Sequence, residues 1–241
     1  MSTVKISNLI EEIFGHAAVL EQNGRLRSTV YGIKKSIYIF NQDLTVLMRF
    51  PLRDFQFSSP ISFRANDYES REFRIEGDQI QFITKQDGYV KVKSCSTPSR
   101  TPEEVSTLFK SFWEKKSGDA TIIGKEIISL LDDRLSHVEF SAVGGKLQIV
   151  QRDIYSGTVS TITKDDKNGF NLGSTKLNDF TPIGMRYGDF LAMYTFSDAV
   201  EWCFGNCQAW ASNADKRRPM NAVIGLCVYD ELGRDEHGRK K

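Results

Sequence analysis

The chain has little of what enzymes work with. It carries three histidines and no G-x-S-x-G elbow, P-loop or G-x-G-x-x-G turn. Adjacent carboxylates occur at Glu11-Glu12, Asp132-Asp133 and Asp165-Asp166. The first two read as solvated helix faces, and the third as a turn before Lys167-Asn168-Gly169. His16 and His137 are placed at matched helix-to-strand junctions, where an imidazole suits the negative end of a helix. His237 lies in the tail. With no base, nucleophile or ligand cluster, neither catalysis nor a metal or other cofactor has an agent.

Cysteine is scarce and badly spaced for chemistry. Cys203 and Cys207, in WCFGNC, match neither a redox pair nor paired zinc ligands. With Cys95 and Cys227 they read as structural thiols in a reducing cytosol. No apolar run approaches membrane length and nothing resembles a leader, so the expectation is a cytoplasmic protein without a membrane partner. Charge of one sign is also missing: the net charge is +1. A strongly basic nucleic-acid binder is excluded, and any positive surface must be local.

What is present is core-forming material and a repeat. Apolar residues make up 40% of the 241 residues, enough for one large domain or two ordinary ones. RANDYESREFRIEGDQIQFIT in the first half and KLNDFTPIGMRYGDFLAMYTF in the second share an order: Asn-Asp-aromatic, a gap, Gly-Asp, then an alternating apolar run. Asn66-Asp67-Tyr68 falls on Asn178-Asp179-Phe180, and Gly77-Asp78 on Gly188-Asp189. The following strands, Gln79 to Thr84 and Phe190 to Thr195, then correspond. Upstream, Ile6, Leu9, Ile10, Ile13 and Phe14 lie on one helical face, as do Ile127, Leu130, Leu131 and Leu135. Each helix leads to a predicted hairpin: AAVLEQ and RLRSTVY joined by Asn23-Gly24, HVEFSAV and KLQIVQRD joined by Gly144-Gly145. The first half carries an insertion around Leu44 to Pro60.

The spacing therefore predicts two copies of one α+β domain, residues 1–97 and 118–230, weighed against chance likeness between β-rich segments. The connector, 98–117, opens a helix at Thr101-Pro-Glu-Glu, with Leu108, Phe109, Phe112 and Trp113 as its apolar face. The tail, 231–241, is polar and expected to be disordered.

Two similar α+β domains in one chain, antiparallel sheets with helices on one side and a long connector, resemble the sliding-clamp family of DNA polymerase processivity factors, in particular those of T4-type bacteriophages. IIGKEIISLL with VEFSAVGGKLQIVQRD, and FNLGSTKLNDFTPIGMRYGDFLAMYTF, carry the likeness in the second half. The resemblance implies a non-enzymatic ring, a homotrimer, that encircles duplex DNA without reading its sequence. It further implies a DNA polymerase and an ATP-dependent clamp loader as partners. Lys5, Arg64, Arg71, Arg74, Lys125, Arg134 and Lys176, on or near the predicted helices, become the expected DNA-facing cations. An ordinary solvated helix face explains each of them equally well. Phe109, Phe112 and Trp113 become the expected partner-binding aromatics, with packing of the connector as the competing role. A duplicated, non-catalytic interaction or structural subunit that does not encircle DNA is the alternative, and an enzyme of unrecognised type the third option.

Overall fold

The computed structural model describes residues 4–43, 45–76, 79–95, 98–152, 159–163, 177–178, 180, 182–205, 208–215 and 219–225. Expectations on Gly77-Asp78, Asp165-Asp166, Lys176, Asp179, Cys207, Cys227, His237 and the tail lie outside these residues. The chain divides into two units. Unit 1 runs to Asp43 and from Leu47 to Ser111; unit 2 takes Thr45, Val46 and the chain from Phe112 onward.

Unit 1 begins with strand β1 (Val4–Lys5) and helix α1 (Asn8–Gln22). Ser7 caps the helix by accepting the Ile10 N–H at 3.5 Å. Ile10, Ile13, Phe14 and Ala17 continue one apolar stripe, and all four are buried. Then follow β2 (Ser28–Ile33), β3 (Ser36–Asn41), β4 (Val46–Pro51) and β5 (Ile61–Arg64). A 3-10 helix (Ala65–Asp67) leads to β6 (Glu72–Glu76), β7 (Gln79–Gln86) and β8 (Tyr89–Ser94). The strands pair in the orders β1-β6-β7-β8 and β5-β2-β3-β4. Phe14 of α1 meets Phe63 edge-on at 5.0 Å, and Phe63 meets Phe82 at 5.1 Å, so α1 and both sets of strands share one core.

The connector helix α2 (Pro102–Trp113) opens with a capping box. The Glu104 N–H donates to Thr101 Oγ1 at 3.2 Å, and the Thr101 N–H donates to Glu104 Oε2 at 2.8 Å.

Unit 2 repeats the order of unit 1: β9 (Ala120–Gly124), a 3-10 helix (Lys125–Leu130), β10 (His137–Val143), β11 (Lys146–Arg152) and β12 (Val159–Thr163). β13 (Ile183–Arg186), helix α3 (Tyr187–Thr195), β14 (Ala199–Phe204), β15 (Ala209–Asn213) and β16 (Asn221–Ile224) follow. Strands pair as β12-β11-β10-β13 and β16-β15-β14-β9. Phe140, Phe190, Trp202 and Phe204 pack at 5.0–5.9 Å between ring centres and form the core.

All described pairings are antiparallel, and the α+β class is as expected. The repeat is finer than the sequence suggested. A strand, a helix and three further strands occur four times, twice in each unit. Within each unit the leading strand of one copy pairs with the three trailing strands of the other. β1 joins β6-β7-β8 and β5 joins β2-β3-β4; β9 and β13 are exchanged in the same way.

Several local expectations are corrected. AAVLEQ is the end of α1, not a strand, because Ala17, Ala18 and Leu20 continue the buried helical stripe. Asn23-Gly24 is the stop of that helix. Gly24 sits at φ +67 and the Arg25 N–H closes back on Leu20 O at 2.9 Å. Gly144-Gly145, with φ +61 and +79, is the expected two-residue hairpin turn, pairing Val143 with Lys146. Its counterpart in unit 1 is Lys34-Lys35, where Ile33 pairs with Ser36. The two proposed turns are therefore not equivalent, and neither are His16, within α1, and His137, opening β10.

The run from Ile122 to Leu135 is not one helix. Thr121 and Ile123 are buried and Ile122 is exposed, the period of a strand. The 3-10 helix after it stops at Leu130, and the buried Gln151 amide accepts the Asp132 N–H at 2.7 Å and donates to Asp132 O at 3.0 Å. Phe190 to Thr195 is helical rather than extended. Tyr187, Phe190, Met193 and Tyr194 recur at helical spacing, and the segment is apolar on nearly every side, which hides its period.

Candidate nucleic-acid interface

The helices show which surface could meet a nucleic acid. In unit 1, α1 lies against the face of β5-β2-β3-β4 that carries Val30, Ile39 and Phe63. Its outer side presents Leu9 and Val19, exposed, with Glu12 and His16 half-buried between them. No lysine or arginine occurs in α1 or in α3. Both helices carry acids and no cation, and the exposed cations among the described residues lie on strands, turns, the 3-10 segments and α2.

The expected DNA-facing residues are scattered and mostly neutralised. Lys5 is in β1, opposite Glu72, not on α1; the helix starts only after its Ser7 cap. Arg71 donates to Glu11 and, at 3.5 Å, to Asn8, so it braces the first turn of α1. Arg74 donates to Gln81 Oε1 at 2.7 Å and lies 3.8 Å from Glu76. Lys125 opens the 3-10 helix of unit 2 and lies 3.5 Å from Asp198. Arg134 grips Asp132 with two nitrogens, at 2.9 and 2.7 Å. These hydrogen bonds hold the Asp132 carboxyl down at about 2.

Arg64 is exposed and makes no ion pair among the described residues. It alternates with Phe63 along β5, and Phe63 faces α1. Arg64 therefore points to the opposite face, the one carrying Thr29 and Tyr31. That is the side covered by α2, where the Tyr38 and Ser106 hydroxyls are 3.0 Å apart and Tyr38 meets Phe109.

The partner-binding aromatics divide. Phe109 and Phe112 are each 1% exposed, so they pack the connector and offer nothing to an incoming chain. Trp113 is half-buried, with Lys116 Nζ 5.1 Å over its ring. Phe112 also lends its carbonyl oxygen to Trp210 Nε1 at 3.1 Å.

Two features escaped the sequence reading. Asp189 is 1% exposed, accepts from Arg186 at 3.0 and 3.2 Å, and accepts the Thr45 hydroxyl at 2.9 Å. The buried carboxylate thereby ties Thr45 into unit 2. The second is a set of exposed cations at Arg25, Arg27, Lys34, Lys35 and Arg53, none in an ion pair among the described residues. Their scatter over turns gives them no periodic signal. Among the described residues no group of His, Cys, Asp or Glu is set to hold a metal, and no helix is long and apolar enough to cross a membrane.

No protein-family model and no curated protein matches the chain. Solved structures do. A PCNA2–PCNA3 complex from Sulfolobus tokodaii is similar over 93% of this chain and 98% of that one, with a TM-score of 0.59 at 13% identity. The DNA polymerase III β chain from Streptococcus pneumoniae is similar over 93% of this chain, TM-score 0.62, 11% identity. The DNA polymerase sliding clamp from Bacillus subtilis is similar over 92%, TM-score 0.60, 9% identity. This chain spans 63% of each of those two bacterial chains. Its antiparallel α+β architecture, four times a strand, a helix and three strands, is the fold of the sliding clamps.

Proposed function

We propose that this protein is a DNA sliding clamp: a ring that encircles duplex DNA and tethers a polymerase, with no catalysis of its own. The observation that carries the reading is the fourfold strand-helix-strands repeat in two units, matched over nearly the whole chain by clamp structures. A chain with two such units, like the archaeal neighbour in length, closes a ring of six domains as a homotrimer.

The sheet edges support head-to-tail closure. Among the described residues β8 is bonded on one side only, and Tyr89, Val90 and Val92 are 80%, 61% and 43% exposed. An exposed apolar edge strand is a hazard unless another chain pairs with it. Among the described residues β12 in unit 2 is likewise bonded only to β11. Pairing β8 of one copy with β12 of the next joins two different surfaces, which generates a ring when the rotation closes. Trp113 remains the accessible connector aromatic for a polymerase or an ATP-driven loader. The T4-type bacteriophage kind and the host cytoplasm belong to this same reading.

Topology gives the test. Once loaded by a partner ATPase, the ring should stay on circular DNA and slip from linear DNA of the same sequence. Equal retention on both would mean ordinary binding and would end the clamp reading.

A further inference from the structure

We infer that the end of the unit 1 sheet formed by the β2–β3 turn and the segment after β4 is a contact for the phosphate backbone of DNA, made by Lys34, Lys35 and Arg53. This rests on the clamp reading and names the charges that reading lacks, since α1 and α3 supply none.

The site is built by backbone. Lys34-Lys35 is a two-residue turn, with Lys34 in the left-handed region at φ 50. The chain returning from β4 is laced to it: the Leu52 N–H donates to Lys35 O at 2.8 Å, and the Phe57 N–H to Lys34 O at 2.9 Å. Arg53 follows directly on Leu52, so the backbone brings the three cationic positions to one end of the sheet. Phe57 is buried and anchors the segment, with Phe55 against it edge-on at 4.9 Å and half-exposed.

Charge decides the occupant. Lys34, Lys35 and Arg53 are exposed, and none forms an ion pair among the described residues. Elsewhere the basic side chains are repeatedly matched to acids, as at Arg71–Glu11, Lys85–Glu72, Lys91–Glu69 and Arg134–Asp132. Asp54 is the one acid in the segment, and it leaves the cluster net positive. Exposed cations with no acidic partner among the described residues suit a phosphodiester chain, with release of its counterions. The contact reads no sequence, because turn lysines act as point charges.

The test uses the full chain and a short fluorescent linear duplex, followed by anisotropy from 25 to 200 mM salt. The triple variant Lys34→Asn, Lys35→Gln, Arg53→Gln keeps a residue that tolerates the left-handed turn. The double variant Lys35→Gln, Arg53→Gln leaves the turn untouched. The slope of log K against log salt should shrink by about 2 to 3 in the triple and by about 2 in the double. Lys125→Gln should change it little. Unchanged slopes in both variants, or no measurable binding of wild type at 25 mM salt, would overturn the proposal. So would loss of binding to an acidic peptide with DNA binding intact, which would make the patch a protein site. Retention on circular DNA reports separately on the ring. A topological clamp with unaltered slopes would refute only this contact.

Discussion

Gly145 shows how one residue carries a strand register. With φ +79 it completes the turn that sets Val143 opposite Lys146, and Leu147 and Ile149 toward the core. Gly145→Val should lower stability by about 1–3 kcal/mol, read from the shift in urea midpoint. Tyr68 and Cys95 act through protons. Burial pushes the Tyr68 hydroxyl and the Cys95 thiol each up to about 12, from ordinary values of 10.0 and 9.0. The fold favours their protonated forms, so their contribution is intact below pH 9 and is lost as pH rises toward 12. The urea midpoint should hold from pH 7 to 9 and then fall; Tyr68→Phe with Cys95→Ala should flatten that fall. A wild-type midpoint constant to pH 11 would contradict the assignment.

At the scale of elements, the first turns of α2 and α3 are held by specific polar groups. Thr101→Ala removes the cap of α2 and should cost about 1 kcal/mol, with Thr101→Ser restoring most of it. Arg186→Leu leaves the Asp189 carboxylate buried without its cation. A loss of about 2–4 kcal/mol in chemical denaturation is expected, larger than for any exposed pair described above. Asp189→Asn in the Arg186→Leu background should recover part of it, because the uncompensated charge is then gone.

For the whole molecule, the expected species is three copies of the 27.4 kDa chain. Native mass spectrometry at micromolar concentration should show it. Val90→Lys with Val92→Glu, on the exposed edge β8, should yield monomer with an unchanged circular dichroism spectrum. Monomer in wild type at that concentration would count against a stable ring.

The sequence by itself determined the α+β class and its internal duplication, joined by a capped connector. Helical stripes with a clean period were legible, as in α1 and α2, because one face is buried and the other wet. Only the tertiary structure decided the rest. α3 is apolar all round, so no period distinguishes helix from strand until Trp202 and Phe140 pack around it. Ile122 and Ile123 look like the start of a helix until β14 claims them as a strand. Asn23-Gly24 permits both a hairpin and a helix stop, and burial of Ala17, Ala18 and Leu20 selects the stop. The pairing of cations with acids was hidden for the same reason. Arg71 and Glu11 are far apart in sequence, and only the fold brings the β6 end to the first turn of α1, while Lys34 and Lys35 form no ion pair among the described residues.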